Sequence, residues 1–193
     1  MKIEKLNQAV VAELYQNCLL VDFPPAELKP LATIQTLMEQ GLYECYGLYE
    51  DGDLKAYAFL AKSTSGTCVL LDYYAVCAPY RSMAYGSQFL TLLKDHCHHY
   101  KGIIAEVETI EAASDDEERA IRERRVAFYK RNGISSTGLA FDLFGVDLSI
   151  YYFALDPEWD DGFIYKELDA IYHILFTGKL YEENVHLIRG NVR

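Results

Sequence analysis

Residues 70–93 constrain the chain most. They read Leu-Leu-Asp-Tyr-Tyr-Ala-Val, then Cys-Ala-Pro-Tyr-Arg-Ser-Met-Ala-Tyr-Gly, then Ser-Gln-Phe-Leu-Thr-Leu-Leu. The first part is apolar, aromatic and β-prone, which predicts a buried strand ending near Val76. The last part sets Phe89, Leu90 and Leu93 at helical spacing, which predicts a helix opening near Gly86. Between them lies a short turn with Pro79, Ala84 and Gly86. A strand that feeds a helix through small residues leaves several backbone N–H groups unpaired at the helix start. With the positive end of the helix dipole they form a seat for an anion such as a pyrophosphate. Two common anion turns are excluded. A Walker A loop needs Lys followed by Ser or Thr, and a dinucleotide fingerprint needs three glycines where only Gly86 is present.

Composition limits the function classes. The chain has 193 residues, which suits one domain with an extension, and 51% of them are hydrophobic, enough for a core. Sixteen tyrosines favour sheet and pocket surfaces with polar tips. A net charge of −11 argues against a nucleic-acid partner. The five cysteines, Cys18, Cys45, Cys68, Cys77 and Cys97, are odd in number and contain no Cys-x-x-Cys pair. That pattern predicts a reducing compartment rather than a disulfide framework. No apolar run has the length of a membrane span, and Met1–Leu6 lacks a signal-peptide apolar region. The expectation is a cytoplasmic protein with no membrane partner.

The order of elements follows from periodicity and breakers. A short strand near Ile3–Leu6 precedes a helix capped by Asn7 and carrying Val10, Val11, Leu14, Tyr15 and Cys18. Pro24 and Pro25 break the chain. A second helix carries Leu28, Leu31, Ile34, Leu37 and Met38, with Pro30 in its first turn or at a small kink, and ends at Gly41. Strands over 43–49 and 54–61 flank Asp51-Gly52, a hairpin signal. A third strand, 69–76, leads through the opening turn into the helix of residues 86–99. Residues 103–107 read as a strand parallel to 69–76. After an acidic stretch, Glu108 to Glu118, the spacing of Ser114-Asp115-Asp116-Glu117 predicts a helix that runs to Arg131 and stops at Asn132-Gly133. Without apolar anchors beyond Ile110, that acidic stretch is expected to be mobile. Strands over 134–144 and 149–155 and a helix over 163–176 close the pattern, with a docked tail beyond Gly178. This describes a mixed α/β sheet with helices on both faces.

Two stretches carry a resemblance. Arg81-Ser82-Met83-Ala84-Tyr85-Gly86 resembles Arg-x-x-Gly-x-Gly/Ala, the acyl-CoA pyrophosphate loop, with Ala84 in place of the first glycine. Phe128-Tyr129-Lys130-Arg131-Asn132-Gly133-Ile134 is similar to the helix-ending Leu-Tyr-x-x-x-Gly-Phe pattern of the GNAT superfamily of N-acetyltransferases. Glu106-Val107 resembles the strand between them. The resemblance implies the GNAT fold, a mostly antiparallel sheet with a central, splayed parallel pair. Residues 1–157 would be the acetyltransferase domain. Residues 158–193 would be a C-terminal helix and tail on the same domain or on a second subunit, in a monomer or homodimer.

The resemblance also implies acetyl-CoA as co-substrate. Its pyrophosphate would meet backbone N–H groups of Met83, Ala84, Tyr85, Gly86 and Ser87, and its pantetheine arm would follow Tyr74, Ala75 and Val76. Arg81 would contact phosphate or stand as a surface arginine. Alanine at position 84 still allows close backbone approach where its φ is negative. Tyr129 matches the family's general-acid tyrosine. Glu106 matches a glutamate used as base, with Asp72 and Glu108 as alternatives. Asp72 is odd in an apolar strand unless it faces a cleft. Glu108, two residues beyond Glu106, can bind a cationic amine. An amine must lose a proton to attack a thioester, and the leaving thiolate must gain one, so a carboxylate and a phenol in these places suit the chemistry.

Other stretches are weaker signals. His96-Cys97-His98-His99 lacks a distant partner to complete a metal set, and basic groups at a helix C-terminus account for it. The alternating charges of Glu117 to Lys130 describe a solvated helix face, from which Lys130 and Arg131 could reach the cofactor's 3′-phosphate. The expected function is acetyl transfer from acetyl-CoA to a primary amine of a small molecule, peptide or protein, by direct attack in a ternary complex. The alternative is an acyl-CoA-binding module of the same fold without catalysis.

Overall fold

The computed structural model describes residues 1–190. Residues 191–193, the end of the region read above as 158–193, lie outside the described residues. The chain forms two compact units, Met1–Lys62 with Leu71–Asp95, and Ser63–Leu70 with the residues from His96 onward.

The first unit begins with β1 (Lys2–Lys5) and α1 (Gln8–Leu14). Asn7 caps α1, its Oδ1 accepting from Val10 N at 3.1 Å. The helix then loosens into a π-helical stretch over Tyr15–Leu19 before α2 (Leu20–Asp22). Apolar spacing predicts one continuous helix here, and it carries no mark of the wider turn. α3 (Leu31–Glu39) starts after Pro30, which stands at its N-cap rather than within its first turn. A proline disfavours helical backbone in the residue before it, so Leu28 and Lys29 stay outside. Ile34 and Leu37 are its buried residues.

β2 (Tyr43–Glu50) and β3 (Asp53–Lys62) form the expected hairpin, and β1 pairs antiparallel with β2. Asp51 (φ 54°) and Gly52 (φ 87°) are both left-handed, the conformation that matches strand twist in a two-residue turn. β4 (Cys68–Val76) follows and leads to α4 (Tyr85–His96). α4 buries Gly86, Phe89, Leu90 and Leu93. It stops at His96, so the neighbouring Cys97, His98 and His99 leave the helix.

The second unit contains β5 (Gly102–Glu108), α5 (Asp116–Arg131), β6 (Ser135–Leu143), β7 (Val146–Ala154), α6 (Asp161–Leu175), α7 (Lys179–Asn184) and β8 (Val185–Arg189). β5 pairs antiparallel with β7, β7 with β6, and β6 with β8. α5 is capped one residue later than expected. Asp115 Oδ1 accepts from Glu118 N at 2.8 Å, and Glu118 Oε2 reaches back to Ser114 N at 2.7 Å. The tail beyond Gly178, read above as docked, has regular structure. It forms α7 and the edge strand β8, where alternation is carried by a buried Val185 and a half-buried Leu187. Such a short run gives little periodic signal.

The strands run in the order β1-β2-β3-β4 in the first unit and β4-β5-β7-β6-β8 in the second. β4 is shared: its first residues, 68–70, fall in the second unit and the rest in the first. The sheet is mostly antiparallel with one parallel pair, and the class is mixed α/β, as the sequence predicts.

Candidate functional site

The anion turn lies wholly in the first unit. β4 ends at Val76, and a 3₁₀ turn over Ala78–Tyr80 carries the chain to residues 81–84, all exposed. Ser82 (φ 63°) and Ala84 (φ 66°) are both left-handed. That conformation costs an L-residue about 1–2 kcal/mol, because Cβ crowds the following carbonyl. Ala84 therefore takes the backbone form of the glycine it replaces, not the negative φ considered above. Two such residues so close together are the kind of local strain that gathers at ligand-binding turns. No acidic side chain stands in the first turn of α4, where the first N–H groups lack a carbonyl one turn back. A chain that presents amide donors without a competing carboxylate in that turn fits an anionic phosphate group.

Several predicted cofactor residues brace this turn. Tyr74 donates its hydroxyl to Gly86 O at 2.5 Å, and its ring stacks on Phe89 with centroids 5.6 Å apart. Tyr74 thereby ties the end of β4 to α4. Arg81 bonds within its own unit, through Nη2 to Asp22 Oδ1 at 2.6 Å and Nε to Val76 O at 3.2 Å. Tyr85 donates to Glu50 Oε2 at 2.6 Å. Met83 is 58% exposed at the tip of the turn. Ala75, Val76 and Ser87 are half-buried.

The three candidate bases fall in different settings. Asp72, in the first unit, receives Lys29 Nζ at 2.8 Å and the hydroxyl of Tyr43. This accounts for a carboxylate in an apolar strand: a buried charge needs partners, and these two supply them. Tyr73 beside it accepts from Lys29 N at 2.9 Å and donates to Glu27 O at 2.8 Å, so the segment before α3 is sewn to β4. Glu106 and Glu108 lie in the second unit on β5. Glu106 is half-buried and accepts a hydrogen bond from the hydroxyl of Tyr172 on α6. Glu108 meets Arg125 Nη1 at 2.8 Å and Arg122 Nη2 at 3.4 Å.

Arg122 is an exception to the reading of the charges of α5 as a solvated helix face. It is 6% exposed. Its Nη1 donates to Thr109 O at 2.5 Å and its Nη2 to Glu118 Oε1 at 2.5 Å. Its Nε is buried without a hydrogen-bond partner. The acidic stretch after β5 is thus tied down at Thr109 by α5, and it contains a 3₁₀ turn at Ile110–Ala112. Composition suggested a stretch without anchors; a guanidinium supplies one where apolar side chains do not.

Tyr129, near the end of α5, is 8% exposed. Its ring meets Phe153 of β7 edge-on at 6.1 Å and Phe128 at 5.3 Å. Burial pushes its phenol up to about 12, against an opposing pull from the charge of Arg125. Arg125 therefore links Glu108, which it pairs, with Tyr129, whose proton it loosens. Tyr172, Arg122, Arg125, Lys29 and Asp22 are the partners that sequence reasoning missed. Only Arg122 left a trace, its i,i+4 spacing from Glu118.

Among the described residues no group of three or more His, Cys, Asp or Glu side chains is disposed to hold a metal ion. Among the same residues no helix is long and apolar enough to cross a membrane.

Comparison with known proteins bears on the whole pattern. No curated protein is found to match the sequence. Among solved structures, a protein from Bacteroides thetaiotaomicron assigned to the GNAT family of acetyltransferases is similar at a TM-score of 0.69 and 16% identity, over 90% of this chain and 96% of that one. An aminoglycoside 6′-N-acetyltransferase complexed with coenzyme A is similar at 0.60 and 13%, over 83% and 100%. An acetyltransferase-like protein from Salmonella typhimurium with its cofactor acetyl-CoA is similar at 0.57 and 18%, over 82% and 96%. At these identities the likeness is one of fold. The model of the acetyltransferase (GNAT) family matches residues 9–134, from α1 through the turn before α4 to the end of α5. The chain belongs to the GNAT family of acetyltransferases.

Proposed function

We propose that the protein is an acetyl-CoA-dependent N-acetyltransferase acting on a primary amine. The observation that carries the reading is the turn before α4, where Ser82 and Ala84 hold left-handed backbone beside a helix start free of acidic side chains. Acetyl-CoA, the family's co-substrate, supplies the acetyl thioester when bound. On this reading the amides of Met83, Ala84, Tyr85, Gly86 and Ser87 hold its pyrophosphate. The backbone of Tyr74, Ala75 and Val76 lies along its pantetheine arm. Arg81 supports the turn from behind, through Asp22 and Val76 O, rather than by reaching for phosphate.

Glu106 takes the proton from the incoming ammonium, and Tyr129 returns one to the leaving thiolate. A phenol near 12 gives its proton uphill to a thiolate of parent value about 8.5, so Arg125 has a place in the reading as the charge that eases it. Asp72, neutralised by Lys29, and Glu108, neutralised by two arginines, are poorer bases. Direct attack in a ternary complex is favoured over an acyl-enzyme. Burial pushes the Cys77 thiol, nearest in sequence to the turn, up to about 11, which leaves little thiolate at neutral pH. Residues 158–193 are taken as part of the same domain, because β8 pairs with β6. A cytoplasmic setting belongs to the same proposal, on the scattered cysteines.

A second reading, acyl-CoA binding without turnover, draws support from the same buried Tyr129 and from the pairing of Glu108. Thiol release from acetyl-CoA with a panel of a polyamine, an aminoglycoside and a peptide with a free N-terminus separates the two. Amine-dependent release supports the enzyme. Tight acetyl-CoA binding in calorimetry with no release across the panel favours the second reading, and no binding sinks both.

A further inference from the structure

We infer that Tyr172 is a positioning residue for the Glu106 carboxylate, so that α6 completes the catalytic base. The inference rests on the reading of Glu106 as that base. The hydroxyl of Tyr172 donates to Glu106 Oε1. Its ring is 0% exposed and is held edge-on by Phe141 of β6 at 5.3 Å, with Phe176 at 6.0 Å. α6 is itself pinned. Asp161, its first residue, accepts from Gly138 N at 3.1 and 3.0 Å where β6 bulges between Ser136 and Ala140. A Cβ at Gly138 would stand 2.3 Å from Asp161 Oδ2, so a larger residue there would have to push this carboxylate aside. Along α6, Ile164, Leu168, Ile171 and Leu175 are buried with Tyr172.

The phenol is therefore presented from a fixed frame to a long, flexible carboxylate. A glutamate has several rotatable bonds, and holding one of its oxygens removes much of that freedom. A base works only within hydrogen-bond reach of the proton it accepts. A donor to the charged form also favours the carboxylate over the carboxylic acid. A phenylalanine would fill the same space between Phe141 and Phe176, so the hydroxyl is the part of Tyr172 that packing does not require. Tyr172 lies outside residues 9–134, the span matched by the family model, whereas Glu106 lies within it.

The test is Tyr172→Phe, which keeps the ring. Carboxyl carbon NMR reads the titration of Glu106, assigned by the signal lost in Glu106→Gln. In Tyr172→Phe the midpoint should move upward by about one pH unit, a tenfold gain in proton affinity. The acid limb of kcat/KM, with acetyl-CoA and the best amine of the panel above, should move with it, and kcat should fall more than the amine KM rises. 3-Fluorotyrosine at position 172 is a stronger donor and should move the midpoint downward. An unmoved midpoint in both folded variants overturns the inference whether or not any amine is acetylated. A moved midpoint together with full turnover by Glu106→Gln removes Glu106 as base, and the positioning role with it.

Discussion

Arg81 Nη2 stands 2.6 Å from Asp22 Oδ1, joining an exposed guanidinium to a carboxylate only 8% exposed. Asp22 also takes the hydroxyl of Tyr57 at 2.7 Å, and Arg81 Nε holds Val76 O at 3.2 Å. The end of α2, the core of β3 and the start of the turn thus share one polar junction. If the junction acts as a unit, Asp22→Asn and Arg81→Ala should not be additive. A double-mutant cycle in urea should show coupling of about 1 kcal/mol, modest because the guanidinium is half in water. Strict additivity would make Arg81 an ordinary surface residue.

The turn makes two opposite predictions. Ala84→Gly removes the left-handed penalty but adds chain entropy to the unfolded state, so it should stabilise by about 1 kcal/mol net. Tm should rise by about 2–4 °C for a chain of this size. Gly86→Glu puts a negative charge at the helix start and should lower acetyl-CoA affinity at least tenfold in calorimetry. Gly86 is buried, so the half-buried Ser87→Glu serves as the check on folding and should weaken binding in the same direction. Unchanged affinity in both folded variants moves the cofactor elsewhere.

Tyr129→Phe should leave stability and acetyl-CoA affinity nearly unchanged, since the ring contact with Phe153 survives. Turnover should drop at least tenfold if the phenol is the acid. With the phenol near 12, its proton stays on through any workable pH. An alkaline limb below about pH 10 in kcat/KM therefore has to come from another group, such as the amine itself. A limb that vanishes in Tyr129→Phe contradicts this assignment.

Glu44 predicts an acid dependence of stability. Burial alone would raise its carboxyl. Hydrogen bonds from Lys5 and Tyr46 and the charge of Lys62 outweigh it and hold the group near 2 in the folded chain. A depressed carboxyl stabilises the fold above its unfolded value of about 4.3 and loses that contribution as pH falls toward the folded value. Glu44→Gln should therefore cost about 2–3 kcal/mol at pH 7. The gap from the parent protein should close between about pH 4.5 and 2 in urea melts, and a gap that persists at pH 2 would falsify the electrostatic account.

The fold was legible where local rules and burial agree. Asp51-Gly52 sits in the hairpin turn it predicts, Asn7 caps α1, and Phe89, Leu90 and Leu93 face inward on α4. Three features were not legible, each for a physical reason. The π-helical stretch at Tyr15–Leu19 keeps the same apolar residues as an α-helix. β8 is too short to show alternation. Arg122 is buried by partners that lie at Thr109, Glu108 and Glu118, and polarity alone reads such a residue as solvated. The site was legible in residue type rather than in partnership. Glu106, Glu108 and Asp72 were all marked as carboxylates of interest, but what separates them is a phenol, two guanidiniums and an ammonium supplied from remote positions. A pairing across more than sixty residues, such as Tyr172 with Glu106, leaves no periodic trace.

The antiparallel pairing of β6 with β8 bears on how the second unit is made during synthesis. β6 is complete at Leu143, yet the strand that covers its outer edge is Val185–Arg189. Until those residues leave the ribosome, a growing chain carries an open row of N–H and C=O groups beside exposed Phe144 and Val146. Unpaired edges of this kind recruit other strands. Over the forty or so residues between β6 and β8 the nascent chain has no strand to cover that edge.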